Sequence, residues 1–214
     1  MRWLQRIADA LLEALAPVRC AACDRVSLAP VCGDCMATLR AMPLPRSRLQ
    51  HGMTWLAAFE YVEPVRSMIH RAKYRAALPA LRLLADASAA RLVSNAGAMP
   101  DGVVAVPLGR RRLRQRGYNQ AEVVARALAG SVHAPLLDGL VRSRETRPQA
   151  ERDEAQRLAN VDGAFAWRSE SLDGKRLWLV DDVVTTGATA RAAAAALHGA
   201  GAQRVHVLSV ASVP

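Results

Sequence analysis

The sequence predicts an α/β fold in which a largely parallel sheet carries helices on both faces. Short apolar runs such as "DGVVAVPL" (101–108) and "KRLWLVD" (175–181) alternate with longer segments whose apolar residues recur at helical spacing. The run "LWLVDDVVTTGATARAAAAAL" (177–197) passes from a buried strand through two acids and a hydroxyl-rich loop into an alanine-rich helix. Ahead of all this, four cysteines crowd into "CAACDRVSLAPVCGDC", marking a small N-terminal unit.

Taken in order, residues 1–18 place Trp3, Leu4, Ile7, Leu11, Leu12 and Leu15 at helical spacing, interrupted by Asp9 and Glu13. The acids argue against a signal peptide, and we expect an amphipathic helix docked on the body. No apolar run approaches the ~18 residues of a membrane span, so the expected location is the cytoplasm. Residues 19–40 hold Cys20-x2-Cys23-x8-Cys32-x2-Cys35. Two CxxC turns of this kind bring four thiolates around one tetrahedral zinc, and four cysteine ligands leave no open position, so a structural Zn²⁺ is expected. Disulfides are disfavoured in a chain without an export signal, and a redox CxxC normally comes singly. "AMPLPRSRLQHG" (41–52), with two prolines and few apolar residues, reads as a linker.

Residues 53–214 form the main domain. "MTWLAAFEYV" (53–62) reads as a strand, "PVRSMIHRAKYRA" (64–76) and "LPALRLLADASAARLV" (78–93) as helices, and 101–108 as a short buried strand. "NQAEVVARALAGSV" (119–132) is a helix; 141–160 is polar and charged with no apolar face; "GAFAW" (163–167), 175–181 and "AQRVHVLSVASV" (202–213) are strands, and 187–199 is a helix. The 214 residues, 51% hydrophobic, suffice to bury a core, which excludes wholesale disorder. The net charge of +10 is almost all arginine, Lys73 and Lys175 being the only lysines. Arginine forks match phosphate oxygens, although GC-rich codon usage gives the same bias. His51, His70, His133, His198 and His206 share no spacing and read as ordinary core or surface.

In parallel sheets ligands sit at the carboxyl ends of the strands, where Asp181 and Asp182 fall. The loop Thr185–Thr189 then opens a helix, whose N-terminal amides bind phosphate. Two carboxylates repel phosphate but suit vicinal sugar hydroxyls, directly or through Mg²⁺. The stretch therefore reads as a sugar-phosphate site held at both ends. The alternative is an ordinary helix start capped by Thr185 or Thr186, which needs only one acid and one threonine.

"LWLVDDVVTTGAT" resembles the phosphoribosyl-pyrophosphate (PRPP) motif of type I phosphoribosyltransferases. With the cysteine knuckle, "VPLGRRRLRQRGYNQAE" and "RSRETRPQAERDEAQRLANVDGAF", it occurs in the order seen in the ComF family of competence-associated, phosphoribosyltransferase-like proteins. The resemblance covers nearly the whole chain from Cys20. It implies a type I phosphoribosyltransferase sheet with an N-terminal zinc knuckle. It further implies that Asp181 and Asp182, the catalytic pair, hold the ribose hydroxyls of PRPP, and that Thr185, Thr186, Gly187, Ala188 and Thr189 cradle its 5-phosphate. Arg110, Arg111, Arg112, Arg114 and Arg116 become candidates for the pyrophosphate, with Mg²⁺ alongside. Thr146, Gln149, Arg157 and Asn160 fall on a flexible loop that closes over the site. Residues 53–75, with Lys73 and Tyr74, are expected to contribute to a hood above it.

Three functions follow: a phosphoribosyltransferase acting on a nitrogen acceptor, a PRPP-binding regulator or competence accessory, and a single-stranded DNA binder using the arginine cluster and the knuckle. Aromatics are only 4%, so stacking platforms are scarce, with Tyr74, Tyr118 and Trp55 as the candidates. No cysteine nucleophile follows Met1, which argues against a glutamine amidotransferase. The resemblance implies competence proteins as partners and leaves a dimer open.

Overall fold

A computed structural model describes residues 18–50, 53–74, 77–143 and 163–213. The N-terminal helix expected over 1–18 and the loop residues Thr146, Gln149, Arg157 and Asn160 thus lie, all but Val18, outside the described residues. The described elements are α1 (Gly33–Ala41), β1 (Arg48–Gln50), β2 (Met53–Glu60), α2 (Val65–Tyr74), α3 (Leu78–Val93), β3 (Gly102–Ala105), α4 (Arg110–Arg116) and α5 (Gln120–Val132). They continue with β4 (Leu140–Arg142), β5 (Phe165–Trp167), β6 (Arg176–Val184), α6 (Ala188–Gly199) and β7 (Arg204–Ser212).

Five strands form one sheet in the order β1-β2-β7-β6-β3, parallel except for β1. The two central strands are buried on both faces, as continuous apolar runs in parallel sheets require. Alternation along β6 sends Trp178 and Val180 into one core and Leu177 and Leu179 into the other. The first core is closed by α2, α3 and α5, and the second by α6 and the antiparallel β4–β5 ribbon.

The helices follow their sequence periodicity. In α3, Ala80, Leu81, Leu84, Ala85, Ser88, Ala89 and Leu92 make one buried stripe, and the Ser88 hydroxyl donates to the Leu84 carbonyl at 2.7 Å. Small residues on this stripe let α3 and α5 pack closely, with Ala121, Val124, Ala125 and Leu128 of α5 buried against it. Asn119 caps α5 by accepting from the Ala121 amide at 3.2 Å.

Three features differ from the sequence expectation. The segment read as a linker contributes β1, paired with β2 from Arg48↔Trp55 to Gln50↔Met53. The arginine-rich run after β3 is a helix, α4, ended by Gly117 in the left-handed conformation (φ 80°). The acids do not end their strand: β6 runs on to Val184 because pairing with β7 continues to Val184↔Ser212.

The cysteine unit is not a separate body. Cys20, Ala21, Val31 and Leu39 join the same core cluster as Leu56, Met68 and Leu208. Arg91 of α3 donates to the Met42 carbonyl at 2.8 Å while its guanidinium lies 4.6 Å from the centre of the Phe59 ring.

Candidate functional site

β6 carries Asp181 and Asp182 to the carboxyl edge of the sheet, beside the carboxyl end of β3. The two carboxylates are held in place by the backbone. The Asp182 amide donates to Asp181 Oδ1 at 2.8 Å, and the Val183 amide donates to Asp182 Oδ1 at 2.7 Å. Asp182 lies on the side of Trp178 and Val180, where α2 packs, and Lys73 Nζ of α2 meets Asp182 Oδ2 at 2.8 Å. The sequence places Lys73 only in a hood over the site, not on an acid of the pair. The signal for its role is faint: one of two lysines in an arginine-rich chain, at the end of a helical pattern.

Burial, and then the neighbouring Asp182 charge, push the Asp181 carboxyl up to about 7, against opposing help from the Asp182 amide, Lys73 and Arg142. Lys73 faces Asp182, while the Asp181 carboxyl keeps its proton to an unusually high pH beside the Asp182 charge. That is the electrostatic setting for a cation or for hydroxyl donors.

The loop that follows opens α6 at Gly187, in the left-handed conformation at φ 73°. No side chain caps α6, which removes the reading in which Thr185 or Thr186 serves only as a helix cap. Thr185 is exposed, Thr186 and Thr189 are half-buried, and Ala188 is buried. A β-carbon at Gly187 would strain this turn, so the glycine fixes how the amides of 188 and 189 are presented. They remain open to an anion.

The predicted arginines lie on α4, which follows β3 at the same edge of the sheet and buries no side chain. Arg116 is the exception in role, since it donates to Gln120 Oε1 at 3.1 Å and its guanidinium lies 5.6 Å from the centre of the Tyr74 ring. Arg110 lines a cleft of about 600 Å³ together with Leu108, Arg142 and Arg168. Arg168 escaped the sequence reading, and Arg142 entered it only as the start of the charged loop segment 142–160; the β4–β5 ribbon brings both to this edge.

The segment "GYNQ" after α4 is an anchor. Tyr118 Oη donates to the Ala72 carbonyl at 2.6 Å, Gln120 Nε2 reaches the same oxygen at 3.4 Å, and Asn119 Nδ2 donates to the Val106 carbonyl at 2.9 Å. It ties the C-terminal turn of α2, and with it Lys73, to the end of β3. Of the three aromatics considered for base stacking, Trp55 is 6% exposed and Tyr118 is pinned through its hydroxyl, which leaves Tyr74 at 63% exposure.

The sulfur atoms of Cys20, Cys23, Cys32 and Cys35 all lie within 4.8 Å of one another. Cys23 Sγ and Cys32 Sγ are 3.8 Å apart, the spacing of a tetrahedron with metal–sulfur bonds of ~2.3 Å. The Ala22 and Cys32 amides donate to Cys20 Sγ at 3.4 and 3.3 Å. Arg25 pulls the Cys23 thiol down to about 6, whereas burial and the adjacent sulfurs push Cys35 well above the usual thiol range. So many sulfurs cannot ionise together without a cation, and the cluster could hold a metal such as zinc.

Residues 78–214 match the model of the phosphoribosyl transferase domain. Over 203 residues the chain is 32% identical to the DNA utilization protein YhgH of Escherichia coli strain K12, covering 88% of this chain and 87% of that protein. The chain belongs to the phosphoribosyltransferase-domain family, in its ComF branch. Competence protein F of Haemophilus influenzae is 28% identical over 90% of the ComF-type chain and 89% of its own length. Among solved structures, glutamine PRPP amidotransferase from B. subtilis, complexed with ADP and GMP, aligns at 24% identity and a TM-score of 0.41. That alignment covers 66% of this chain and only 26% of the larger enzyme. Among the described residues of this ComF-type chain, no helix is long and apolar enough to cross a membrane.

Proposed function

We propose that this protein binds PRPP with Mg²⁺ at the carboxyl edge of its sheet and presents the ribose 5-phosphate to a nitrogen acceptor, in the service of DNA uptake or utilisation. The observation that carries the reading is the succession along one strand and one turn: backbone-fixed Asp181 and Asp182, then uncapped helix amides opened by Gly187. Asp181 and Asp182 accept from the ribose hydroxyls. Thr185, Thr186, Gly187, Ala188 and Thr189 surround the 5-phosphate, whose charge the N-terminus of α6 favours.

Arg110, Arg111, Arg112 and Arg114 meet the pyrophosphate, which leaves C1 of the ribose as the acceptor nitrogen bonds to it. The chemistry needs no protein nucleophile. It needs the sugar held, the departing charge neutralised and water kept out. Mg²⁺ would further neutralise the polyphosphate, and a carboxyl raised by burial and by the Asp182 charge, as Asp181 is, is one that a nearby cation would help to ionise. Thr146, Gln149, Arg157 and Asn160, outside the described residues, are assigned to the same ligand on the family resemblance alone. Cys20, Cys23, Cys32 and Cys35 would hold a structural Zn²⁺. The names of the relatives, DNA utilization protein and competence protein, support the cellular setting, with partners among competence proteins.

Calorimetric titration of PRPP with Mg²⁺ tests the reading. Micromolar binding by wild type, weakened at least about tenfold by Asp182→Asn, is the expected result. Absence of binding by folded, zinc-loaded wild type ends it.

A second reading has its own observation. α4 buries none of its side chains, and Tyr74 stands exposed beside Arg116, so an arginine-bearing helix with an aromatic beside it suits contact with single-stranded DNA. Replacing Arg111, Arg112 and Arg114 by alanine then flattens the slope of log affinity against log salt by about 0.7 for each phosphate no longer neutralised. An unchanged slope removes DNA from this face.

A further inference from the structure

The cysteine cluster and the acidic pair sit on opposite sides of α2, and both touch it. Asp24, directly after Cys23, meets Arg71 of α2 at 2.8 Å. Two residues on, Lys73 of the same helix meets Asp182 at 2.8 Å. Residues two apart on a helix point ~200° apart, so one helix reaches the cysteine loop with one side and the acidic edge with the other. Ala72 between them is buried, and its carbonyl is clamped by Tyr118 and Gln120.

The Asp24 end of this connection is defined by the cysteine loop itself. Asp24 takes a left-handed conformation at φ 66°, its amide donates to the Cys20 carbonyl at 3.0 Å, and the Arg19 guanidinium donates to the Asp24 carbonyl at 2.9 Å. The turn that aims Asp24 at Arg71 is therefore the same turn that brings Cys20 and Cys23 together. Arg71 is 21% exposed and Asp24 53%, so the pair is shielded on the side of α2 and open to solvent on the side of the cysteine loop.

We propose that the Asp24–Arg71 pair is a strut by which metal at the four cysteines sets the position of α2 and, through Lys73, the affinity of the acidic edge for PRPP. This rests on the reading of that edge as a PRPP site. With the cysteine loop closed on a metal, Arg71 is held, the last turn of α2 is fixed, and Lys73 neutralises Asp182 within reach of a polyanionic ligand. With the metal gone, the loop holds Asp24 less firmly, and the last turn of α2 keeps only its tie to β3 through Tyr118 and Gln120, which leaves the lysine less firmly preset. Coupling of this kind is reciprocal: metal must favour PRPP, and PRPP must favour retention of the metal by the same factor. Asp24 and Arg71 are thus positioning residues and touch no ligand.

The experiment uses the full zinc-loaded chain and two readouts. One is calorimetric titration with PRPP and Mg²⁺; the other is equilibrium partition of Zn²⁺ between the protein and a chromogenic chelator, with and without saturating PRPP. In wild type, PRPP is expected to tighten zinc retention about fivefold. In Arg71→Met, PRPP affinity falls about fivefold and the effect of PRPP on zinc retention disappears, while Arg71→Lys restores both in large part.

Asp24→Asn is the second variant. Asparagine tolerates the left-handed conformation, so it removes the charge and keeps the turn. Wild-type PRPP affinity and undiminished PRPP-dependent zinc retention in both Arg71→Met and Asp24→Asn overturn the strut and leave the PRPP site standing. No PRPP binding by zinc-loaded wild type overturns the site and the strut with it.

Discussion

Lys73 Nζ and Asp182 Oδ2 stand 2.8 Å apart with side chains only 20% and 15% exposed, joining the last turn of α2 to the carboxyl edge of β6. A pair this shielded depends on both partners, because removing one leaves the other charge in a poorly solvated place. Lys73→Met is expected to destabilise the fold by about 1–3 kcal/mol in urea titrations at pH 8. The double variant with Asp182→Asn should recover at least half of that, because the stranded carboxylate is gone. Additive losses would show that the two residues do not interact in solution.

Asp181 gives a pH dependence whose sign is fixed by its environment. Its carboxyl is raised to about 7 in the folded chain, so between ~4 and ~7 the native state binds more protons than the unfolded one. This group's contribution is full below the unfolded value of ~4 and is lost as pH rises through 7. Asp181→Asn should therefore be more stable than wild type at pH 8, by roughly 1–3 kcal/mol, with the advantage gone by pH 4. Denaturant midpoints across that range measure it, and a difference constant with pH counts against the assignment.

Tyr118 holds the Ala72 carbonyl at 2.6 Å, at the end of α2 where helix carbonyls lack intrahelical partners. Tyr118→Phe should cost about 1 kcal/mol of stability, because Gln120 at 3.4 Å satisfies the same oxygen only weakly. If Lys73 depends on this anchor, the substitution also lowers PRPP affinity, which a calorimetric titration resolves.

Arg25 lies 3.3 Å from Cys23 Sγ and 2.7 Å from Asp34 Oδ2, beside a cluster whose four thiolates outweigh a divalent cation. Arg25→Ala should raise the rate of zinc transfer to a chromogenic chelator by about tenfold, with Cys35→Ser losing the metal outright. Equal rates for Arg25→Ala and wild type would show that solvent screens this guanidinium fully.

The legibility of the sequence differed from element to element for physical reasons. β6 and α6 were readable because an apolar run bounded by acids, threonines and glycine admits few alternatives, and the four cysteines were readable because their spacing is itself the geometry of a metal cluster. α4 was hidden, since seven residues with no buried side chain carry no hydrophobic period. β1 was hidden because a three-residue edge strand draws its stability from β2, which lies outside its own sequence. Arg168 gave no signal, and Arg142 none beyond opening the charged segment 142–160, because only the pairing of two short strands places them at the candidate site.

What the sequence by itself determined is the local chemistry: two carboxylates followed by a glycine-opened helix start, and four thiols within reach of one another. Those follow from neighbours along the chain, where spacing alone constrains geometry. What only the tertiary structure decided is which distant groups meet that chemistry. Lys73 reaches Asp182, and Arg71 reaches Asp24, because α2 packs across the sheet between β6 and the cysteine loop. Contacts between residues so far apart in sequence depend on how the elements bury their apolar faces, and no local pattern encodes them.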